Sequence, residues 1–483
     1  MSRILVGPFN RVEGDLEVSL DIEQGQVQSA RVNSPMFRGF ERIMLGQNPM
    51  DALVYTPRIC GICSVSQSVA CARALGELMQ VGMPRNGELA TNLVLANENM
   101  TDLLTHFYLF FMPDFCREVY QGKDWFSDVE KRFKAKEGLA ARTMLPARAE
   151  FLHLMGIMAG KWPHSLTLQP GGSAKPIEAQ ERIRLLAIIS AFRRYLEQNL
   201  FGTDLDEIAE LDSITALENW RDRDHWHSSD FRTFLHLSDD LKLSNLGRAT
   251  DQFMSYGNYQ LEGEKLFNPG LVMQGQVMDL NPEQITEDLS YSWMGGADKP
   301  LKPSEGITDP SLDNPEAYSW CKAPRLNRQV IEVGALARQL VNRHPLIVDL
   351  VQQSGGNVEN RMIARMLELA LVIPVMQEWV KQIDPADTFC NHAELPNKGS
   401  AFGLVEAARG SLGHWINVQE GKISNYQIIA PTTWNFSPRD EQSIPGALEQ
   451  ALVGAPVREG EKEPVAVQHI VRSFDPCMVC TVH

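Results

Sequence analysis

Apolar stretches in the sequence, such as Leu367–Met376, fall far short of the roughly 20 residues a helix needs to cross a bilayer. Basic residues are in deficit: 45 Lys and Arg stand against 61 Asp and Glu, a formal charge of −16 over 483 residues. That balance excludes a generic nucleic-acid binder, which needs a basic face to neutralise phosphates. Low-complexity linkers and internal repeats are missing. With 43% hydrophobic and 22% charged residues, the chain can bury a large core, and disorder is excluded. Ser2 to Val6 run straight into strand-like sequence, without an apolar signal core or small-residue cleavage site. The expectation is a cytoplasmic protein with no direct membrane insertion, export alongside a signal-bearing partner staying open.

Cysteine is scarce as well, and eight in a chain this long do not make a disulfide scaffold. Cys71, Cys116, Cys321 and Cys390 stand alone and read as small buried hydrophobes. The other four form two C-x-x-C pairs, Cys60/Cys63 and Cys477/Cys480, at opposite ends of the chain.

From Ile4 to Val32 apolar residues alternate with polar ones, and Gln24-Gly25 marks a turn, which predicts a β-hairpin. From Asn86 to Phe111 the spacing becomes helical: Leu89, Leu93, Ala96, Met100, Leu103 and Phe107 share one stripe, and Asn99, Asp102 and His106 a second face. Helices are also predicted over 148–159, 178–200, 332–344 and 357–382, whereas 204–323 reads as a loop-rich excursion with short strands. The fold class expected is α+β and predominantly helical: a large helical core, an N-terminal β-hairpin or sheet and a loop-rich middle, in a single domain over 1–483. A joint site for the two cysteine pairs forces both termini into one core.

Four thiolates from two such turns can form an S4 cage for zinc, iron–sulfur units, nickel or copper. A structural zinc site and a dithiol redox centre stay open on the residues alone. Zinc ribbons, however, bring their pairs within tens of residues, since the metal organises a small local fold. Here nearly the whole chain lies between them, which favours a catalytic metal.

The flanks sharpen this: Arg58-Ile59-Cys60-Gly61-Ile62-Cys63 at one end and Asp475-Pro476-Cys477-Met478-Val479-Cys480-Thr481-Val482-His483 at the other. With Arg11-Val12-Glu13-Gly14, Met36 to Glu41, Tyr318 to Arg325, Ala408-Arg409-Gly410 and Pro431-Thr432-Thr433-Trp434 following in order, the chain resembles the large subunit of the [NiFe]-hydrogenases over its whole length. That resemblance implies a nickel–iron centre carrying carbon monoxide and cyanide, at which both termini meet. Cys60 and Cys477 would be terminal nickel ligands, and Cys63 and Cys480 would bridge nickel to iron. It also implies Thr432 as a hydrogen-bond donor to cyanide, and Asp102 and Asp475 as carboxylates orienting Arg409 above the metals. Glu13 would be the first proton-relay residue. Glu41, His483 and the backbone carbonyl of Ile428 would hold a second metal, usually Mg2+ (or Fe), that pins the C-terminus. Family members commonly reach that end by losing an extension; this chain either was processed or never had one. His225, His227 and His236 are read as solvated or packed rather than ligating.

Heterolytic cleavage of H2 needs a Lewis-acid metal for the hydride and a nearby base for the proton. Arg409 is costly to deprotonate, so Cys477 is expected to accept the proton and Arg409 to act electrostatically. The sequence departs from the family where Gln67 stands in place of a frequent His four residues after Cys63, removing a titratable neighbour of the bridging sulfur. This feature is similar to the regulatory, hydrogen-sensing branch. Asp15, where many energy-conserving members carry His, points to the cytoplasmic groups. Ile62 and Phe110 fall where oxygen-sensitive relatives carry smaller residues along a gas channel, which implies O2 tolerance.

The function expected is therefore H2 cleavage in a low-turnover sensor, with an uptake hydrogenase feeding a quinone or another acceptor as the alternative. A non-catalytic zinc protein is the reading of another class. The chain has no further C-x-x-C array, so electrons must leave through an obligate iron–sulfur small subunit, in a heterodimer or a dimer of heterodimers. A sensor would also bind a histidine kinase.

Overall fold

The computed structural model describes residues 2–483. Strand β1 (Ser2–Val6) pairs antiparallel with β2 (Glu17–Glu23), which pairs with β3 (Gln26–Asn33). Val18, Leu20 and Ile22 face the core while Glu17, Ser19 and Asp21 are less buried, the alternation that marks a half-buried strand. Gln24 and Gly25 both have positive φ, 52° and 74°, as a two-residue turn matched to strand twist requires. The hairpin read from the sequence is thus two strands of a three-stranded sheet.

Helix α1 (Ser64–Leu78) follows the first cysteine pair, and α2 (Arg85–Thr105) continues through a wide turn over His106–Phe111. A third helix, α3 (Ala179–Tyr195), starts on a capping arrangement of Glu178 and Glu181. In the middle section, strands β4 (Phe253–Leu261) and β5 (Glu264–Met273) pair antiparallel, with the short Gln276–Met278 strand beside them. Helix α4 (Ala335–Val341) packs on that sheet. The long α5 (Val358–Gln382) is capped by Asn357, whose side chain accepts from the Asn360 N–H at 2.9 Å, and packs on α2 and α3. Strands β6 (Gly399–Ala407), β7 (Gly410–Gln419) and β8 (Lys422–Ile429) form a meander against α1. Helix α6 (Val465–Ser473) then returns the chain to the N-terminal segment.

One apolar cluster reaches in sequence from Val6 to Cys480, and a smaller one gathers around Trp415 and Trp434. The structure corrects three expectations. Over 204–241 it has helices rather than loops: Leu205–Ala209, Ile214–Asp222 and Asp230–Leu241, each capped by an Asp or Ser side chain. Their short, charge-rich turns hid the period. The helix read over 148–159 is two, Leu139–Phe151 and His153–Ala159. The one read from Glu332 begins at Ala335, because Gly334 has φ 140° and the Glu332 carboxylate is held at 2.7 Å by the buried Arg361.

Candidate metal centre

The two cysteine pairs are brought together. Cys60 ends a loop whose returning N–H groups, those of Ile62 and Cys63, aim at its sulfur at 3.3 and 3.4 Å. Cys63 is the first residue before α1. Cys477 follows Asp475, which has φ 57°, and donates its N–H to Thr432 Oγ1 at 3.0 Å, leaving that hydroxyl proton uncommitted. The N-terminal segment clamps the C-terminal one: Glu13 and Cys477 form a parallel bridge, and the Met478 N–H donates to the Glu13 carbonyl at 2.7 Å.

All four cysteines are free and buried, with sulfurs within 4.8 Å of one another. Hydrogen bonds from the other three hold the Cys60 thiol well below its ordinary value. Cys477 and Cys480 are raised, by burial first, and Cys63 by its contacts with Cys477 and Cys480. Four dry sulfurs that cannot all carry charge unaided are a donor set awaiting cations. A zinc tetrahedron with bonds of about 2.3 Å would space them evenly, about 3.8 Å apart. Here Cys60 and Cys477 are 3.5 Å apart, Cys63 and Cys480 3.1 Å, and Cys477 and Cys480 2.9 Å. The four sulfurs thus converge unevenly on one point, as a thiolate donor set for metal.

Above the sulfurs lies Arg409, 3% exposed. Its guanidinium donates to both oxygens of Asp102, and it reaches the Asp475 carboxylate and carbonyl at 3.2 and 3.1 Å. Burial works against its charge, but Asp102 and Asp475 win and hold it well above the ordinary arginine value. Burial raises Asp102 against the pull of Arg409. Beneath, Arg338 pairs with Glu368 at 2.8 Å and Glu406 at 3.1 Å and donates to the carbonyls of Ala407 and Ala408 at 3.0 and 2.9 Å, bedding the turn that presents Arg409.

Gln67, buried one turn into α1, accepts from His414 Nε2 at 2.8 Å, and its own amide nitrogen has no partner among the described residues. His414 accepts from Tyr426 at 2.8 Å and is pushed down to about 3 by burial, so a neutral ring stands behind Gln67. Glu13 is half-buried, and burial with the nearby Cys60 sulfur raises its carboxyl. Ile62 borders Cys60 through its N–H, whereas Phe110 sits in the wide turn after α2 with its carbonyl taken by Arg11 at 2.9 Å.

A second constellation lies beside the first. Glu41 accepts from the Ile428 N–H at 2.8 Å and pairs with Lys322 at 3.1 Å. His483 donates Nδ1–H to the Cys480 carbonyl at 2.6 Å, so its Nε2 faces Glu41 Oε1 at 3.1 Å. Burial opposes the charge of Glu41, but Lys322 and His483 bring its carboxyl down to about 2. The same Lys322 ammonium lies 3.5 Å from the buried Glu287, so one lysine serves both carboxylates. Lys322, Glu287, His414 and Arg338 were not singled out from the sequence; a charged residue inside an apolar, motif-dense stretch, such as Lys322 after Cys321, was the available signal.

A family model described as nickel-dependent hydrogenase matches residues 38–127 and 140–483. The whole chain is 27% identical to the periplasmic [NiFeSe] hydrogenase large subunit of Desulfomicrobium baculatum and covers 95% of it. It is 26% identical to the uptake hydrogenase large subunit of Rhodobacter capsulatus, covering 95%, and to the hydrogenase-2 large chain of Escherichia coli K12, covering 97%. Among solved structures, the Ni-Fe-Se hydrogenase from D. vulgaris Hildenborough in the reduced state matches with a TM-score of 0.84 at 27% identity, over 100% of both chains.

Proposed function

The chain belongs to the nickel-dependent hydrogenase family and is the catalytic large subunit of a nickel–iron enzyme, and from that premise we propose how its residues turn H2 into protons and electrons. Four free, buried sulfurs within 4.8 Å of one another carry the reading. Cys60 and Cys477 would hold nickel alone, and Cys63 and Cys480 would serve both nickel and iron. When bound, the nickel–iron pair supplies the Lewis-acid centre at which H2 is polarised.

The chain then has to take up a proton and lead it away. Cys477 Sγ is the acceptor. Arg409, kept charged by two carboxylates, stabilises the separated charges from a dry position in which a fixed cation costs no reorganisation. Glu13, whose backbone is bridged to Cys477, receives the proton next; burial gives it the raised affinity a relay needs. Thr432, whose Oγ1 accepts from the Cys477 N–H, would have its hydroxyl proton to offer a cyanide of the bound centre. Glu41, His483 and the Ile428 carbonyl would hold Mg2+, or iron, next to Cys480, where the Lys322 ammonium already pairs with Glu41 and Glu287.

Electrons leave through a small subunit that carries the iron–sulfur clusters. Gln67, locked on a neutral His414, favours hydrogen sensing at low turnover, with a histidine kinase as further partner. The uptake enzymes among the relatives favour electron delivery to an acceptor. A cytoplasmic location belongs to the first reading, and one relative is named periplasmic. Turnover of the purified heterodimer with an artificial acceptor separates the two, a sensor being slower by orders of magnitude.

Metal analysis and infrared spectroscopy of the heterodimer test the centre itself: nickel and iron with carbonyl and cyanide bands are expected, and zinc without nickel overturns it. Replacing Cys477→Ser should abolish hydrogen/deuterium exchange, and retained exchange would remove Cys477 as proton acceptor.

A further inference from the structure

Glu98 is a buried carboxylate near the thiolates that the proposed chemistry leaves without a task. It lies on α2 one turn before Asp102 and is 2% exposed. Five donors converge on it. Oε2 accepts from the Val65 N–H at 2.8 Å, the Trp162 indole N–H at 2.9 Å and the Ser64 hydroxyl at 3.3 Å. Oε1 accepts from the Ser66 N–H at 2.9 Å and the Ser66 hydroxyl at 3.1 Å.

The Val65 and Ser66 N–H groups belong to the first turn of α1, where the helix has no carbonyl of its own to offer them. A Ser or Asp in the capping position would ordinarily serve. That position is Cys63, whose side chain makes no capping bond because it faces the other sulfurs. Glu98 therefore does from a neighbouring helix what the capping residue cannot. Burial pushes this carboxyl up to about 7, while the Val65 and Ser66 N–H groups and the Trp162 indole pull it down. Those three groups can only donate and are shared between both oxygens, so above that pH the geometry holds an ionised carboxylate. Its charge lies against the positive end of the α1 dipole.

The geometry points to Glu98 as a positioning residue that acts through Cys63: it fixes where α1 begins, hence where the bridging sulfur stands, and its charge offsets the helix dipole beside the cage. The inference rests on Cys63 being a bridging ligand. Without that charge, the unopposed dipole draws electron density from the sulfur and so from the iron behind it.

Infrared spectroscopy and nickel content of the purified heterodimer test this. Glu98→Gln should move the carbonyl and cyanide bands to higher frequency and lower the nickel retained. Trp162→Phe removes one neutral donor and leaves the α1 contacts, so the carboxylate becomes a stronger point charge. The bands should then move to lower frequency at unchanged nickel content. A merely structural cap would lower thermal stability and leave the bands in place, and unmoved bands in both variants overturn the inference. Where the Gln variant does not assemble, unmoved bands in Trp162→Phe alone are enough. A wild-type heterodimer without any such bands would overturn the bimetallic reading and this inference with it.

Discussion

Arg409 is a cation removed from water and held by two carboxylates, an arrangement in which each partner is costly alone and serviceable only in company. Its rigidity makes it useful, since a charge already in place needs no movement when protons and electrons separate. In the proposed relay Glu13 would have the complementary task, and it is half-buried beside Cys60. Glu13→Gln keeps the shape and removes the proton site; H2 oxidation should fall by about 100-fold or more at unchanged nickel and iron content, and unchanged turnover would take Glu13 out of the relay. If Ile62 and Phe110 line a gas channel, as proposed from the resemblance, they would act by bulk. Ile62→Val with Phe110→Leu should speed O2 inactivation several-fold in an oxygen-pulse assay, and equal tolerance would defeat the gas-channel reading.

At the scale of elements, the buried ions of Arg338, Glu368 and Glu406 tie α4, α5 and β6 together under the Arg409 turn. Arg338→Met leaves two carboxylates uncompensated. Unfolding free energy should drop by about 3–5 kcal/mol in denaturant titrations, and activity per bound nickel should drop as well; loss of stability alone would confine Arg338 to the scaffold. Elements also show where the sequence was legible. The cysteine turns were readable because metal chemistry tolerates few residue types at fixed spacings, and β2 because one of its faces is wet; Arg409 and His483 stood out only through the resemblance of their flanking motifs to a family. Helix α1 went unread: 13 of its 15 residues are buried, so no polar face marks a period. The β6–β8 meander was missed for a related reason, β7 being buried on both faces from Gly410 to Trp415 and beyond. Glu98 shared a polar face with Asn99 and Asp102, but nothing in one sequence said which neighbour that face would meet.

For the molecule as a whole, Asp114 gathers Arg11, Arg117 and Arg472, joining the segment that carries Glu13 to the helix that precedes Cys477. Glu449 makes a second joint, accepting from the Val32 N–H at 2.9 Å and the Tyr318 hydroxyl at 2.8 Å. Burial pushes its carboxyl up to about 7 from an ordinary 4.5. The folded protein therefore holds this proton more tightly than the unfolded chain. The resulting stability is full below about pH 4.5 and is lost as pH rises through about 7, for a span of about 3 kcal/mol. The stability advantage of wild type over Glu449→Gln should shrink between about pH 5 and about pH 8, and a difference independent of pH would show that the side chain titrates normally. Helix α2 holds the molecule together in another way. It hangs Glu98 and Asp102 from one rod a single turn apart, the first steadying the wall that bears Cys63 and the second the guanidinium opposite. A tilt of that rod would therefore shift both attachments together, and a substitution that bends it between residues 98 and 102 would set Cys63 and Arg409 apart.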